Sequence, residues 1–237
     1  METRTDEIAA VVYRFSTAVT GVGPEPFTFN QFLIDADEPM LFHLGHRGFF
    51  PAIAEQAARI TPLARIRYLS FGHVEADECG SLNLWLAAAP NAEVVQSRIG
   101  CQVSLNDLAD RPPRALADGE TLDLGGRRLT WLNTPHVPHG WEAGALFDET
   151  NRVLFCGDLL THGGDGPALT EADVAGPACA MEDMFHAMTM APGTGAVLDR
   201  LAALEPSTLA IMHGSSFRGD GAGQLRALAD YCAKAGA

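Results

Sequence analysis

The stretch that decides the fold class covers residues 66–78 and reads IRYLSFGHVEADE. Its first six residues predict a short buried strand. Directly after this strand, His73, Glu75 and Asp77 alternate, and in an extended loop this spacing places all three side chains on one side of the backbone. An imidazole and two carboxylates packed together repel one another when empty, and a bound multivalent cation removes that penalty.

Three further predicted strands also end at a residue that can bind a cation. The strand over 127–132 leads to His136, the strand over 152–155 leads to Asp158, and the strand over 208–212 leads to His213. Loops at the carboxyl ends of strands are where ligand sites gather in α/β sheets. Taken alone, the first cluster is equally typical of a solvated acidic loop with an incidental His. The three other strand ends favour a metal site.

Strands and helices alternate along the chain, and the pattern includes two hairpins. Turns at Gly125-Gly126 and at residues 149–151 separate the hairpin strands. Further strands are predicted over 29–35, 39–44 and 92–96, and helices over 50–60, 81–89, 196–204 and 224–235. This mixture predicts an α/β protein with mixed sheets. No segment has the composition of a linker, so we expect one domain over residues 1–237.

Composition excludes several classes of protein. The 237 residues are 47% hydrophobic, which is enough for a sizeable core. A net charge of −14 repels phosphate backbones and anionic lipids, so we expect neither nucleic acid nor a membrane as partner. Five Cys residues without close spacing favour a reducing compartment. The start, METRTDEIAA, has no signal-peptide pattern, and we expect a cytoplasmic protein.

The ordered set HxExDE, H, GD and HG resembles the metallo-β-lactamase superfamily. Hydrolases of that superfamily carry HxHxDH, whereas this chain has Glu75 at the position of the second His. This exchange resembles the flavodiiron proteins, whose motif reads HxExDH, and the related stand-alone oxygen-binding di-iron proteins. The segments TPHVPHGW (134–141) and LFCGDLL (154–160) resemble the third and fourth metal motifs of that group. The resemblance spans about residues 30–217.

This resemblance implies a four-layer αββα sandwich, with two mixed sheets flanked by helices. It also implies two iron ions with an oxo or hydroxo bridge. Carried over by position, one iron has the ligands His73, Glu75 and His136, the other has Asp77 and His213, and Asp158 bridges both. Glu78 stands where the family often has His. The pattern leaves open whether Glu78 binds metal, binds a metal-bound water, or does neither.

The types of ligand favour two metals of the iron or manganese kind. Carboxylate-rich sites suit Fe or Mn, whereas tetrahedral Zn²⁺ sites favour Cys and His. Glu75, Asp77 and Asp158 carry three negative charges, and Glu78 would add a fourth. Two divalent ions nearly neutralise this charge, while a single ion would leave buried negative charge uncompensated. Zinc stays an alternative because it binds more tightly than Fe²⁺ at most sites.

The resemblance implies a protein that binds O₂ or NO. It would act as a sensor or carrier, or as a reductase supplied with electrons by a separate redox protein. The chain ends soon after His213, so we expect no flavodoxin-like domain and no FMN within it. A signalling protein is the other expected kind of partner. The alternative is a metal-dependent hydrolase, in which a metal-bridging hydroxide attacks an ester, thioester or lactam.

Several other residues are candidates for the walls of a pocket near the metals. For each of them, ordinary packing or a surface position is the competing interpretation. The candidates are His46, Phe49, His139, Trp141 and His162. A Met-rich segment, MEDMFHAMTM (181–190), has helical spacing and predicts packing in the core or in a homodimer, or a cover over the gas site.

Overall fold

The computed structural model describes residues 2–21 and 23–236, so the predicted domain of 1–237 includes three positions outside this description. The first sheet has seven strands, which follow one another in space in chain order. Its first four strands pair antiparallel and the last three extend it in parallel. These strands are β1 (Thr3–Ala9), β2 (Val12–Val19), β3 (Phe27–Ile34), β4 (Met40–Phe42), β5 (Tyr68–Ser70), β6 (Glu93–Ser97) and β7 (Arg114–Leu116).

The second sheet also has seven strands, and it contains both hairpins predicted from the sequence. The strands are β8 (Thr121–Asp123), β9 (Arg128–Asn133), β10 (Gly144–Asp148), β11 (Val153–Phe155), β12 (Leu169–Thr170), β13 (Thr208–Ala210) and β14 (Ser216–Arg218). Their order in space is β12-β14-β13-β11-β10-β9-β8. The pairs β11–β13 and β12–β14 are parallel and the other pairs are antiparallel, so both sheets are mixed, as predicted.

Helices lie at the ends of strands and between them. They are α1 (Phe50–Ile60), α2 (Ala76–Cys79), α3 (Leu82–Ala88), α4 (Arg98–Gly100), α5 (Asn106–Leu108), α6 (Ala175–Phe185), α7 (Thr194–Ala202) and α8 (Gly221–Ala235). A 3₁₀ turn covers Leu63–Arg65, and a π-helical turn over Cys101–Leu105 joins α4 to α5. No helix within residues 2–21 and 23–236 is long and apolar enough to cross a membrane.

Three layers of apolar side chains hold the sheets and helices together. Alternate residues of β3 point to opposite faces. Phe32 and Ile34 pack between the two sheets, with Trp131 and Phe155 from the second sheet. On the outer faces, α1 and α3 pack on the first sheet, and α6, α7 and α8 pack on the second. The order helix, sheet, sheet, helix confirms the predicted αββα sandwich.

The carboxyl ends of four strands meet along one edge of this sandwich. The loops after β5, β9, β11 and β13 lie there, and they carry the predicted metal ligands. Asn30 of β3 joins the two sheets at this edge, because its side-chain amide donates to the carbonyl oxygens of Ile211 and Gly214, each at 2.9 Å. The fold therefore gathers loops that are distant in sequence around one rigid position.

Candidate metal centre

The loop after β5 is fixed by two buried carboxylates that accept hydrogen bonds from its backbone. Glu78 Oε2 accepts from the His73 N–H at 2.8 Å, and Glu142 Oε1 accepts from the Val74 N–H at 2.9 Å. Both carboxylates are buried. The position of His73 and Glu75 is therefore determined by the surrounding residues and not by the loop alone.

A first group of side chains brings four ligand atoms together, all within 4.8 Å of one another: His73, Glu75, His139 and Asp158. His73 Nε2 lies 2.9 Å from Glu75 Oε2 and 2.8 Å from His139 Nε2. Metal–ligand distances of about 2.1 Å place neighbouring ligand atoms on one ion about 3 Å apart. The separations in this group therefore fit ligands that share one metal ion.

A second group lies on the other side of Asp158. His213 Nε2 is 3.3 Å from Asp77 Oδ2 and 3.3 Å from Asp158 Oδ1. The other oxygen of Asp158, Oδ2, faces the first group, at 3.7 Å from His73 Nε2 and 3.5 Å from His139 Nε2. The two oxygens of one carboxylate thus face two different sets of ligands, which is the geometry of a bridge.

The surroundings of His213 show why this second group suits a metal ion. Its Nδ1 lies 2.8 Å from the carbonyl oxygen of Thr28, which can only accept a hydrogen bond. The Nδ1 atom therefore carries the hydrogen, and in the neutral ring the lone pair of Nε2 points at carboxylate oxygens of Asp77 and Asp158. Three sets of lone pairs facing one another are unfavourable, and either a proton on Nε2 or a metal cation at their centre makes the arrangement attractive.

Charges within the centre stabilise one another strongly. Burial lowers the pKa of His213, but hydrogen bonds to Asp158 and Asp77 outweigh it and raise the pKa to about 10. Burial likewise opposes a charge on His73, yet the charge of Glu78 and the bond to Glu75 raise its pKa to about 12. Burial raises the pKa of Asp158, but His213 and the other imidazoles lower it to about 2. The carboxylates therefore stabilise positive charge between the two groups of ligands.

His136 does not take the position predicted for it, and His139 takes that position instead. His136 is exposed, with a backbone φ of +64° at a tight turn in which the Val137 N–H donates to the Thr134 carbonyl oxygen at 2.8 Å. This turn directs the His136 side chain away from the cluster. Three residues later the chain returns, and His139 joins the first group.

The other candidate wall residues have different positions. His46 lines the cavity beside the second group, while Phe49 packs behind it, with ring centroids 5.2 Å apart. Trp141 is 55% exposed and is not part of the cavity wall. His162 is buried, and both its nitrogens are used: Nδ1 donates to the Leu160 carbonyl oxygen, and Nε2 accepts from the Ser215 N–H. His162 therefore holds the loops around the centre together.

A cavity of about 450 Å³ opens onto the centre. Glu182 of α6 holds one of its walls, because its buried carboxylate accepts hydrogen bonds from the N–H groups of Ala187 and Met188. Apart from the ligands, most wall residues are apolar: Phe27, Ala76, Pro138, Leu160, Ala178, Met181, Phe185, Ala187, Met188 and Leu228. The Met-rich segment therefore supplies part of a cover over the centre, which was one of its predicted roles.

Aromatic residues that were not predicted from the sequence enclose the second group. The Phe27 ring stacks on the His213 ring with centroids 4.4 Å apart, and the Phe29 ring meets it edge-on at 5.1 Å. The only signal for this role is the alternation of aromatic residues in FTF, which also fits an ordinary core strand. Thr28, between them, was missed because its carbonyl oxygen, not its side chain, holds His213.

Two mixed sheets between helices, with His, Glu and Asp ligands on the loops of one edge, define the metallo-β-lactamase class of metal-binding folds. A family model described as ODP family beta lactamase matches residues 27–214. The chain belongs to this family. This match confirms the resemblance to the metallo-β-lactamase superfamily, and the similarity to diflavin flavoproteins and flavodiiron structures confirms the resemblance to that type of domain.

Individual relatives agree with this assignment. A Thermosynechococcus vestitus protein named as a diflavin flavoprotein A 1 is 30% identical over 200 residues, which are 81% of this chain and 34% of the relative. The metal-soaked Flv1 flavodiiron core from Synechocystis aligns with 98% of this chain and 61% of its own, with a TM-score of 0.83 and 23% identity. The flavodiiron protein from Giardia intestinalis aligns with 99% of this chain and 60% of its own, at 0.82 and 19%. The chain thus spans about a third of the first of these relatives.

Proposed function

We propose that this protein holds two iron ions and binds O₂ or NO at this pair. The observation that carries the proposal is the position of Asp158, whose Oδ2 faces one imidazole–carboxylate group and whose Oδ1 faces another. His73, Glu75 and His139 would hold one iron, and Asp77 and His213 the other. When bound, the two irons would coordinate the gas and exchange electrons with it.

Iron is favoured over zinc by the donor set. Three carboxylates and three imidazoles give a mixed oxygen and nitrogen environment, which suits iron better than a Cys- and His-rich tetrahedral zinc site. Three carboxylate charges also match two divalent ions closely. The names of the relatives support this choice, since the solved neighbours from Synechocystis and Giardia intestinalis are flavodiiron proteins.

The protein's own residues prepare the second group for a small ligand. Asp77 and Asp158 are only 14% and 12% exposed, and aromatic rings cover His213. This group has fewer protein ligands than the first, which leaves coordination positions for a ligand from the cavity. Exclusion of water strengthens electrostatic interactions there. Electrons for turnover would come from a donor outside the described residues.

Metal content, followed by titration with gas, tests the proposal. The protein is expressed in medium that contains both iron and zinc, and the metals are measured by mass spectrometry. We expect two irons per chain and, for the anaerobically reduced protein, a spectral change on addition of O₂ or NO. Zinc that persists in iron-supplemented cells, together with turnover of an ester, thioester or lactam, would support the hydrolase instead.

The same titration separates a sensor or carrier from a reductase. A reversible O₂ adduct without consumption of a reductant would indicate binding alone. Continuous consumption of NADH through an added redox protein, at the expense of O₂ or NO, would indicate a reductase.

A further inference from the structure

Glu78 is a carboxylate buried directly behind the first group of ligands. Its side chain is fully buried, and both its oxygens face the same residue, His73. Oε2 accepts a hydrogen bond from the His73 N–H at 2.8 Å, and Oε1 lies 3.1 Å from His73 Nδ1. Since His73 Nε2 faces Glu75 and His139, Glu78 contacts the opposite edge of the ring.

The surrounding residues form a cradle shaped for this carboxylate. A Cβ atom at Gly72 would lie 3.1 Å from both oxygens of Glu78, and one at Gly157 would lie 3.4 Å from Oε1. His43 closes the third side, with its Nε2 atom 3.6 Å from Oε1. His43 is itself fully buried against the Phe42 ring, at 4.5 Å between centroids. The two glycines therefore leave the space that the carboxylate fills.

Glu78 does not face the second group, although it follows Asp77 in the sequence. Both residues lie in the first turn of α2, and their side chains diverge: Asp77 extends to His213, whereas Glu78 extends to His73. The described polar contacts of His213 are with Asp77, Asp158 and Thr28. Glu78 thus contacts His73 from behind, at the ring edge opposite the other ligands, and lies outside the second group.

We propose that Glu78 is a positioning residue for His73 and not a metal ligand. An anion at Nδ1 keeps the hydrogen on that atom and leaves the Nε2 lone pair directed at the metal. The negative charge also makes the imidazole a stronger donor, which strengthens binding of the metal in the first group. This inference rests on the proposed metal centre, and it assigns a role to the residue by which this chain departs from the HxExDH pattern.

The test compares Glu78→Gln with a matched control, Glu142→Gln. Both side chains are buried carboxylates that accept a backbone hydrogen bond from the loop after β5, but among the described residues the Glu142 carboxylate accepts from Val74, whereas Glu78 faces His73. Each variant is titrated with Co²⁺ against a competing chelator, and Asp77→Asn identifies which binding phase belongs to the second group. We expect Glu78→Gln to weaken the first phase by about 10–100-fold. Glu142→Gln should change it much less.

Proton NMR of the Co²⁺-loaded protein provides a readout that loop disorder alone would not reproduce. Metal-bound imidazoles give shifted signals from their remaining N–H groups. We expect Glu78→Gln to move the His73 signal and speed its exchange with D₂O, while the His213 signal keeps its wild-type position. Glu142→Gln should move the His73 signal much less, because Glu142 holds the backbone of Val74 and not the His73 ring. If Glu78→Gln does not fold, Glu78→Asp, whose shorter side chain withdraws the oxygens, should weaken the same phase.

Three results have distinct meanings. Equal losses in Glu78→Gln and Glu142→Gln, with the His73 signal unmoved, would overturn the positioning role. Selective loss of the second Co²⁺ in Glu78→Gln would show that Glu78 is a ligand, which also overturns it. Failure of the wild-type protein to bind two Co²⁺ ions would contradict the proposed function itself.

Discussion

The two groups of ligands on either side of Asp158 differ in number and in exposure. The first group has three members besides Asp158, and two of these are partly open: the Glu75 side chain is 54% exposed and the His139 side chain 29%. The second group has only Asp77 and His213, which are 14% and 5% exposed. The first group therefore offers more ligands, and the second offers fewer ligands in more enclosed surroundings.

This difference suggests a division of labour within the centre. More ligands give tighter binding, so the metal in the first group should be held more strongly. This metal should have a structural role in the centre. Fewer ligands leave open coordination positions, so the second metal should be the half that a ligand from the cavity reaches.

The largest expected effect comes from the residue that both groups share. Asp158→Ala should abolish binding of both metals, because each metal loses a ligand and the buried charge balance is lost. The measurement is metal content per folded chain, with Asp107→Ala on the exposed α5 helix as control. Full retention of both metals in Asp158→Ala would contradict the bridged centre.

His139→Ala and His136→Ala should have opposite outcomes. His139 belongs to the first group, so its loss should remove or greatly weaken one metal per chain. His136 is exposed and outside the cluster, so His136→Ala should keep wild-type metal content. Metal titration of both variants is decisive, and a loss confined to His136→Ala would return that residue to the ligand set.

His213→Gln should affect only the second group. We expect this variant to keep the first metal and to lose the second, together with the spectral change on addition of O₂ or NO. The measurement is metal content combined with anaerobic gas titration. His162→Gln is the control, because His162 lies close to the centre but both its ring nitrogens bond to backbone atoms of the loops. A His213→Gln protein that binds gas like the wild type would contradict the division of labour.

Glu75→His should change metal preference more than total metal content. An imidazole in place of the carboxylate removes one negative charge and shifts the first group toward zinc. The ratio of iron to zinc after growth in medium with both metals measures the effect, and we expect it to fall. An unchanged ratio would count against the role of Glu75 in selecting iron.

Much of the fold follows from local sequence patterns. The helix predicted over 50–60 is observed as α1, and both hairpins of the second sheet were predicted from their turns. The first hairpin, β1–β2, was not predicted, because its polar residues, such as Arg14 and Ser16, are buried between the sheets. Sequence alternation does not reveal that a strand with such residues lies in the interior.

The site was predicted in outline and missed in its detail. Local spacing predicts that His73, Glu75 and Asp77 gather at one strand end, which they do, but not on one side of an extended loop: the chain bends after His73, and Asp77 lies on helix α2 and reaches the second group. His136 and His139 cannot be separated in this way, since the choice depends on a turn closed by backbone hydrogen bonds. Likewise, the position of Glu78 behind His73 depends on space left by Gly72 and Gly157, which are distant from each other in sequence.

Other expectations stay predictions. They are a homodimer, a cytoplasmic location, one domain over the whole chain and the identity of a redox or signalling partner. Each of them depends on molecules or residues beyond the described ones.

Exposed apolar residues bear on the expected homodimer. The cover over the cavity contains Phe185, which is 48% exposed, and next to it in the sequence is Met184, which is 58% exposed. Sedimentation at several protein concentrations would test whether a second copy of the chain associates.

Mössbauer spectroscopy of protein loaded with ⁵⁷Fe and then oxidised tests the central claim most directly, because it counts the irons and reports whether they interact. Two ferric ions that share the Asp158 carboxylate should be magnetically coupled, with a diamagnetic ground state and two irons per chain. A single iron, or two irons with the spectra of isolated high-spin ferric ions, would contradict a bridged pair.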